Sequence, residues 1–216
     1  KVKEIPFYGD YDVVVAGGGV AGFGAAVAVG KRGYRVLLIE ATSALGGLAT
    51  MGLVNIPLDF VSGIGREMMD ELEAIEGHWH RNTNIEKHKL VLDKMVKKYG
   101  VDVLLVTSVV DAVMNGNTLK GVVIQTKTGR KYISAKRFID ATGDAELYRK
   151  CHVPCHCGSN MLAVWALEFV RNRKDNGEFC GGLGDEVFIY PHNDNAGLQG
   201  IDGKKVSDYM LASRRI

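Results

Sequence analysis

A chain of 216 residues with 46% apolar residues, 24% charged residues and 27 glycines has the composition of a globular protein with many tight turns; this excludes a disordered or fibrous chain and suits one domain plus part of a second. A formal charge of +2 gives no footprint for nucleic acid, and the short run Arg171, Arg173, Lys174 reads as solvated surface. Three of the four cysteines, Cys151, Cys155 and Cys157, crowd into one short stretch. That spacing suits no spread disulfide framework and favours a reduced, cytoplasmic setting.

The first element is a choice between a membrane segment and a phosphate-binding one. Val13 to Gly30 carries no charge, yet Glu4, Asp10 and Asp12 precede it where a secretory signal would be basic. Six of its eighteen residues are glycine, which gain little from lipid, so the membrane reading fails. The pattern instead predicts a buried strand over Asp12 to Ala16, a turn at Gly17-Gly18-Gly19, a helix from Val20 to Lys31 and a second strand from Arg35 to Ile39. This is a βαβ unit with parallel strands covered on both faces.

Ala41 to Asn55 is broken by glycine and reads as loop with one helical turn. Ile64 to Ile75 predicts a helix with Ile64, Met68, Leu72 and Ile75 on one face. Thr83 and Glu86 form a capping-box pattern before a helix to Lys98, whose apolar face is Leu92, Met95, Val96 and Tyr99 and whose five lysines form its wet face. His88, among those lysines, reads as solvated. A β region follows: Val101 to Val106, then a meander of Ser108 to Met114, Leu119 to Thr126 and Lys131 to Ala135, with hairpin turns at Asn115-Gly116 and Thr128-Gly129. Phe138 to Asp140 is one more strand. Beyond Cys151, "MLAVWALEFV" and "EVFIYP" predict strands of a second unit, and Val206 to Ile216 an amphipathic helix. That helix has no stop signal, and the strands are too few to close a core. The expectation is one complete domain over 1–150 with a helical insertion over about 60–100, and an incomplete second region over 151–216 completed by further sequence or a companion chain.

Gly17, Gly19 and Gly22 match G-x-G-x-x-G between a strand and a helix, and Glu40 ends the second strand. Gly17 lets the chain turn sharply, Gly19 lets the backbone approach a pyrophosphate, and Gly22 lets the helix press on the sheet. The helix N-terminus offers unpaired N–H groups to a diphosphate. Glu40 accepts hydrogen bonds from an adenosine ribose and repels a 2′-phosphate. Both FAD and NAD carry such an ADP half.

"VVVAGGGVAG", "LLIEATSALGGLATMGLV" and "FIDATGDAEL" resemble the FAD-dependent oxidoreductase family, with the glutathione-reductase and fumarate-reductase type of FAD-binding fold. The resemblance runs from Tyr11 to Leu147. It implies an α/β, Rossmann-like three-layer domain with a parallel sheet and a β-meander, followed by the start of a β-rich substrate domain. It also implies non-covalent FAD and hydride transfer from a small-molecule substrate. Charge, glycine content and cysteine spacing, for their part, point to no nucleic acid, no membrane and no metal, and leave a homo-oligomer open. The residues assigned to the cofactor are Gly17, Gly18, Gly19, Val20, Ala21 and Gly22 in the turn; Glu40 and Ala41 at the second strand; Gly46, Gly47, Ala49 and Thr50 near pyrophosphate and flavin; Val110, whose backbone matches the adenine position; and Ala141, Thr142 and Gly143 returning to the ADP half. Asp144 is either a pyrophosphate neighbour or a helix cap.

Two rivals are an NAD-linked dehydrogenase, which leaves the ATGD segment without a purpose, and a flavin-holding subunit of an electron-transfer complex. Cys151 to Cys157 ("CHVPCHC") reads as reduced loop thiols in preference to metal ligation or covalent flavin attachment, and His78-Trp79-His80 as a surface turn. No catalytic residue is assigned.

Overall fold

The computed structural model describes residues 4–56, 60–79, 82–156, 164–166, 169–173, 179–183, 187–189 and 202–213. The chain divides into two compact units, Lys1–Cys155 and His156–Ile216.

The first unit is built on a six-stranded sheet of order β5-β2-β1-β8-β7-β6. Its strands are β1 (Phe7–Ala16), β2 (Val36–Ile39), β5 (Val101–Leu104), β6 (Ser108–Asn115), β7 (Thr118–Thr126) and β8 (Gly129–Asp140). β5, β2, β1 and β8 pair in parallel, while β8, β7 and β6 form an antiparallel meander. The hairpin β3 (His78–Trp79) and β4 (Asn82–Thr83) stands apart from this sheet.

Strand periodicity divides the core in two. In β2 all four residues are buried; Val36 and Leu38 join a cluster with helices α1 (Val20–Gly30), α2 (Gly63–Ala74) and α3 (Ile85–Lys98), while Leu37 and Ile39 join the opposite one. Alternate residues of a strand face opposite ways, so a strand with two covered faces is apolar throughout. The second cluster also contains Val109 of β6 and Val122 and Ile124 of β7. In a flat sheet β2 and β6 would lie about 19 Å apart, four strand spacings. Their shared core means that the meander curls over the sheet face away from the helices. The result is the three-layer α/β arrangement implied by the resemblance.

α2 and α3 are joined by their charged faces as well as their cores. Glu67 accepts from Lys31 Nζ at 2.7 Å, from Lys98 Nζ at 3.0 Å and from the Tyr99 hydroxyl, and Lys94 Nζ reaches Glu71 at 2.5 Å. These donors, Lys31 first, hold the Glu67 carboxyl down at about 2. The lysines of α3 therefore stitch the helical layer together as well as solvating it.

Several sequence expectations need correction. β8 is one strand of twelve residues, not two. Lys136 and Arg137 interrupt its apolar pattern, but Lys136 pairs with Asp12 on β1 at 2.6 Å, and the ladder runs on past both residues. The cap of α3 is Asn84, whose side chain accepts from Lys87 N at 3.0 Å; Thr83 lies in β4, buried, with its hydroxyl on the Asn55 carbonyl. His88 is buried at 2% exposure. Its position on α3 shares a face with Val91, Leu92 and Met95, which overrides the polar look of its sequence neighbours.

In the second unit, β10 (Phe169–Arg173) pairs antiparallel with β11 (Phe179–Leu183), and β12 (Val187–Ile189) with β9 (Val164–Ala166). The strand β11 was not legible because Gly181 and Gly182 erase its alternation. Helix α5 spans Gly203–Ser213. Cys157, His80 and His192 lie outside the described residues. No described helix is long and apolar enough to cross a membrane.

Candidate functional site

Four separate segments meet at the C-terminal ends of β1, β2 and β8, where a parallel sheet of this kind offers its ligand crevice. Gly17 leaves β1 with φ +97°, a left-handed backbone that a side chain would disfavour by about 1–2 kcal/mol. A Cβ there would also lie 2.3 Å from the Ala141 carbonyl oxygen. At Gly22 a Cβ would lie 1.8 Å from the Gly17 carbonyl oxygen and 3.1 Å from Ala141 Cβ. The first turn of α1 thus presses on the glycine turn itself and on the end of β8.

Gly19 is different. It caps α1 with an extended backbone, and a Cβ built on it meets nothing within 4 Å. No side chain caps α1 and no acidic residue stands in its first turn, so its leading N–H groups and dipole face an open space beside Gly19, Val20 and Ala21. A cradle lined by backbone donors and free of side chains suits a diphosphate.

Gly18, the variable position of the motif, is as constrained as its neighbours. Its N–H donates to Glu40 Oε2 at 2.7 Å, and a Cβ on it would strike Leu45 Cδ2 at 2.7 Å and Glu40 Cβ at 2.9 Å. Glu40 is buried at 7% exposure, and its other oxygen accepts from Thr42 N at 2.6 Å. Each carboxylate oxygen keeps a further lone pair, so two acceptor sites remain for a ribose diol. Glu40 is therefore a fold-holding group as well as a candidate ligand. Ala41 beside it is exposed.

The double-glycine loop closes on the turn from the other side. Gly46 forms a parallel bridge with Gly19, and its N–H donates to the Gly18 carbonyl at 2.8 Å. Both Gly46 and Gly47 have positive φ, and Gly47–Ala49 is a single 3-10 turn. Thr50, fully buried, donates its hydroxyl to the Leu45 carbonyl and locks the loop.

The return segment is organised by Asp140, a residue the sequence reading passed over. Its carboxylate accepts from the Thr142 N–H at 3.1 Å, the Thr142 hydroxyl at 2.7 Å and the Tyr148 N–H at 3.0 Å. The Asp-x-Thr spacing is an Asx-turn signature and could have signalled it. The Thr142 hydroxyl also accepts from Glu146 N at 2.9 Å, so Thr142, upstream of the N-cap position Ala145, and not Asp144, satisfies the first N–H of helix α4 (Glu146–Lys150). With its hydroxyl and its N–H both spent internally, Thr142 has only its carbonyl to offer a ligand, whereas Gly143 at φ +88° presents bare backbone.

Val110 occupies a β-bulge: Val109 faces Ile124 and Asp111 faces Val123, which leaves Val110 without a partner in the ladder. A bulged residue has backbone groups unclaimed by the sheet. The start of β6 is tied to the Glu40 corner, with Thr107 N donating to the Glu40 carbonyl at 3.0 Å and Val106 N to Thr42 O at 2.9 Å. Val106 holds φ +51°, a strained conformation for a β-branched residue.

The remaining candidates lie elsewhere. His78 Nδ1 is 3.8 Å from Glu73 Oε1 in the β3–β4 hairpin. Cys151 is half-buried, and burial followed by the Asp140 charge pushes its thiol up, while Cys155 is exposed; both are free thiols. Among the described residues no group of three or more His, Cys, Asp or Glu could hold a metal ion.

Comparison with known proteins fits this geometry. Residues 12–165 match the model of the family described as FAD dependent oxidoreductase. A nicotine dehydrogenase of Pseudomonas putida is 66% identical over 38 residues, 18% of this chain and 8% of that protein. The tRNA uridine 5-carboxymethylaminomethyl modification enzyme MnmG of Metamycoplasma arthritidis is 30% identical over 155 residues, 62% of this chain and 25% of that one. The chain thus spans a quarter or less of these two curated relatives. The crystal structure of THI4 from Thermovibrio ammonificans superposes with a TM-score of 0.50 at 26% identity, covering 67% of this chain and 64% of that chain. With the family model covering most of its length, the chain belongs to the FAD dependent oxidoreductase family.

Proposed function

We propose that the protein acts as a flavoprotein oxidoreductase, with residues 1–150 gripping the ADP half of FAD and residues 151–216 beginning the region that faces substrate. The observation that carries this reading is the closure of three segments around Glu40 with an open backbone cradle at Gly19. In it, the first turn of α1 (Val20, Ala21, Gly22) and Gly17 to Gly19 hold the pyrophosphate. Glu40 accepts from the ribose through its two remaining lone pairs, and its charge disfavours a 2′-phosphate. Val110 meets adenine through its unpaired backbone, Ala141 to Gly143 close the adenylate side, and Gly46, Gly47, Ala49 and Thr50 lead toward the flavin.

FAD, when bound, supplies the redox chemistry by taking a hydride from a substrate carbon and passing the electrons on. The chain's own residues position it and exclude water around the diphosphate. The substrate is a small molecule, and a further segment or companion chain completes its site. The crowding of Cys151, Cys155 and Cys157 into one short stretch supports a reduced, cytoplasmic setting.

Extraction of bound cofactor from purified protein tests the reading. It predicts yellow material that releases FAD on denaturation. Folded, colourless protein that takes up NAD in preference to FAD would contradict it.

A further inference from the structure

Beside the double-glycine loop lies a cavity of about 310 Å³ between the first turns of α1, the helices α2 and α3, and the chain after the loop. Phe23, Leu48, Phe60, Met68 and Leu92 supply much of its wall, and none of its lining residues carries a charge. Among those residues His88 alone has a polar side chain. An apolar cavity of ~150 Å³ is enough to hold benzene, so this one has room for a bicyclic aromatic or a body of similar size.

The state of His88 follows from its contacts. Its Nε2 lies 3.2 Å from the Met68 sulfur, and a thioether can only accept, so Nε2 carries the proton and Nδ1 the lone pair. That Nδ1 is buried and has no hydrogen-bond partner. Burial pushes the imidazole pKa below its ordinary value, so the ring is neutral near pH 7. A water would need two to four polar partners to settle in such a cavity, and the side chains of its wall offer one. The missing partner is thus better supplied by a molecule that is apolar over most of its surface and brings one donor.

We infer that this cavity binds a neutral, largely apolar small molecule bearing a single N–H or O–H group, which His88 Nδ1 receives after a small adjustment of its ring. Anions are disfavoured because no cation lines the wall and a neutral imidazole cannot balance their charge. Since Gly46, Leu48 and Ala49 form one side of it, the cavity adjoins the proposed cofactor path, and its occupant is the substrate. Naming the occupant as substrate rests on the flavoprotein reading; its binding does not.

The test is calorimetric titration of the FAD-loaded protein with indole, which has one N–H, and with indene, its donor-free counterpart. Indole is expected to bind about tenfold more tightly, the size of one buried hydrogen bond, and to shift the ¹⁵N resonance of His88 Nδ1. His88→Leu should bring the two affinities level, and His88→Gln should restore part of the preference, with flavin content unchanged in both. The comparison on the unaltered protein decides the matter even if a variant folds poorly. Equal affinities, no binding of either probe, or an unmoved Nδ1 resonance would overturn the proposal. A preserved indole preference in protein that does not retain flavin would instead uphold the pocket and strike at the flavoprotein reading.

Discussion

Between Ala16 and Gly22 the backbone itself decides the geometry, whereas across α2 and α3 it is decided by side chains that meet only after the chain has folded. In the first region, positions 17, 18 and 22 leave no room for a Cβ, and the nearby carboxylate of Glu40 is fixed by two backbone N–H groups. In the second, Glu67 gathers donors from Lys31, Lys98 and Tyr99, and His88 turns inward onto Met68. Steric necessity writes itself into residue identity. Tertiary pairing leaves only charges and apolar spacings that many arrangements would satisfy.

If the first region is a backbone device, Gly22→Ala should be the most damaging small change in the chain. The new methyl would sit 1.8 Å from a carbonyl oxygen that cannot move without breaking the turn, so a loss of about 3 kcal/mol or more is expected. A urea midpoint within error of the unaltered protein would show that the turn is softer than described. Next in size is Glu40→Gln. The amide must turn its NH2 group toward either the Gly18 or the Thr42 N–H and leave that donor unsatisfied, at a cost of about 1–3 kcal/mol before any cofactor is considered. Stability measured without FAD separates this effect from ribose binding.

The second region gives smaller effects. Asn84→Ala should cost about 1 kcal/mol in thermal or urea unfolding through loss of the α3 cap, with Thr83 unable to substitute because its hydroxyl is engaged on Asn55. The pH dependence has two limbs. Glu67 is held near 2 when folded and is ordinarily near 4.5, so its contribution is fully present above pH 4.5 and is lost as pH falls toward 2. His88 has its folded pKa lowered from 6.5, so the unfolded chain binds the proton first and stability declines as pH falls below 6.5. Urea midpoints measured across this range should show a smaller lower limb in Glu67→Gln, because Glu71 and Asp12 are also held low by their lysines, and should lose the upper limb in His88→Gln. Identical profiles in all three proteins would mean that neither group is linked to folding.

Most of the first unit could be read from residue order. The βαβ unit, the 3-10 turn after Gly46 and the meander carry short-range signals in glycine placement and strand period. What escaped the reading depended on distant partners. Lys136 looks like a strand break until Asp12 is placed beside it, and Gly18 looks interchangeable until Glu40 lies beneath it. His88 looks solvated until helical phase puts it with Leu92 and Met95. Two of the missed signals, however, were local: the helical phase of His88 and the Asx spacing of Asp140 in "DAT".

The open backbone cradle at Gly19 is the proposed seat of the FAD diphosphate. Gly19→Val isolates it, because the added side chain meets no protein atom near its Cβ and lies where the ligand should be. Titration of both proteins with FAD, read by flavin fluorescence alongside a urea midpoint, is predicted to show stability changed by no more than about 0.5 kcal/mol and FAD affinity reduced at least tenfold. Unchanged FAD affinity in a stably folded Gly19→Val protein would contradict it.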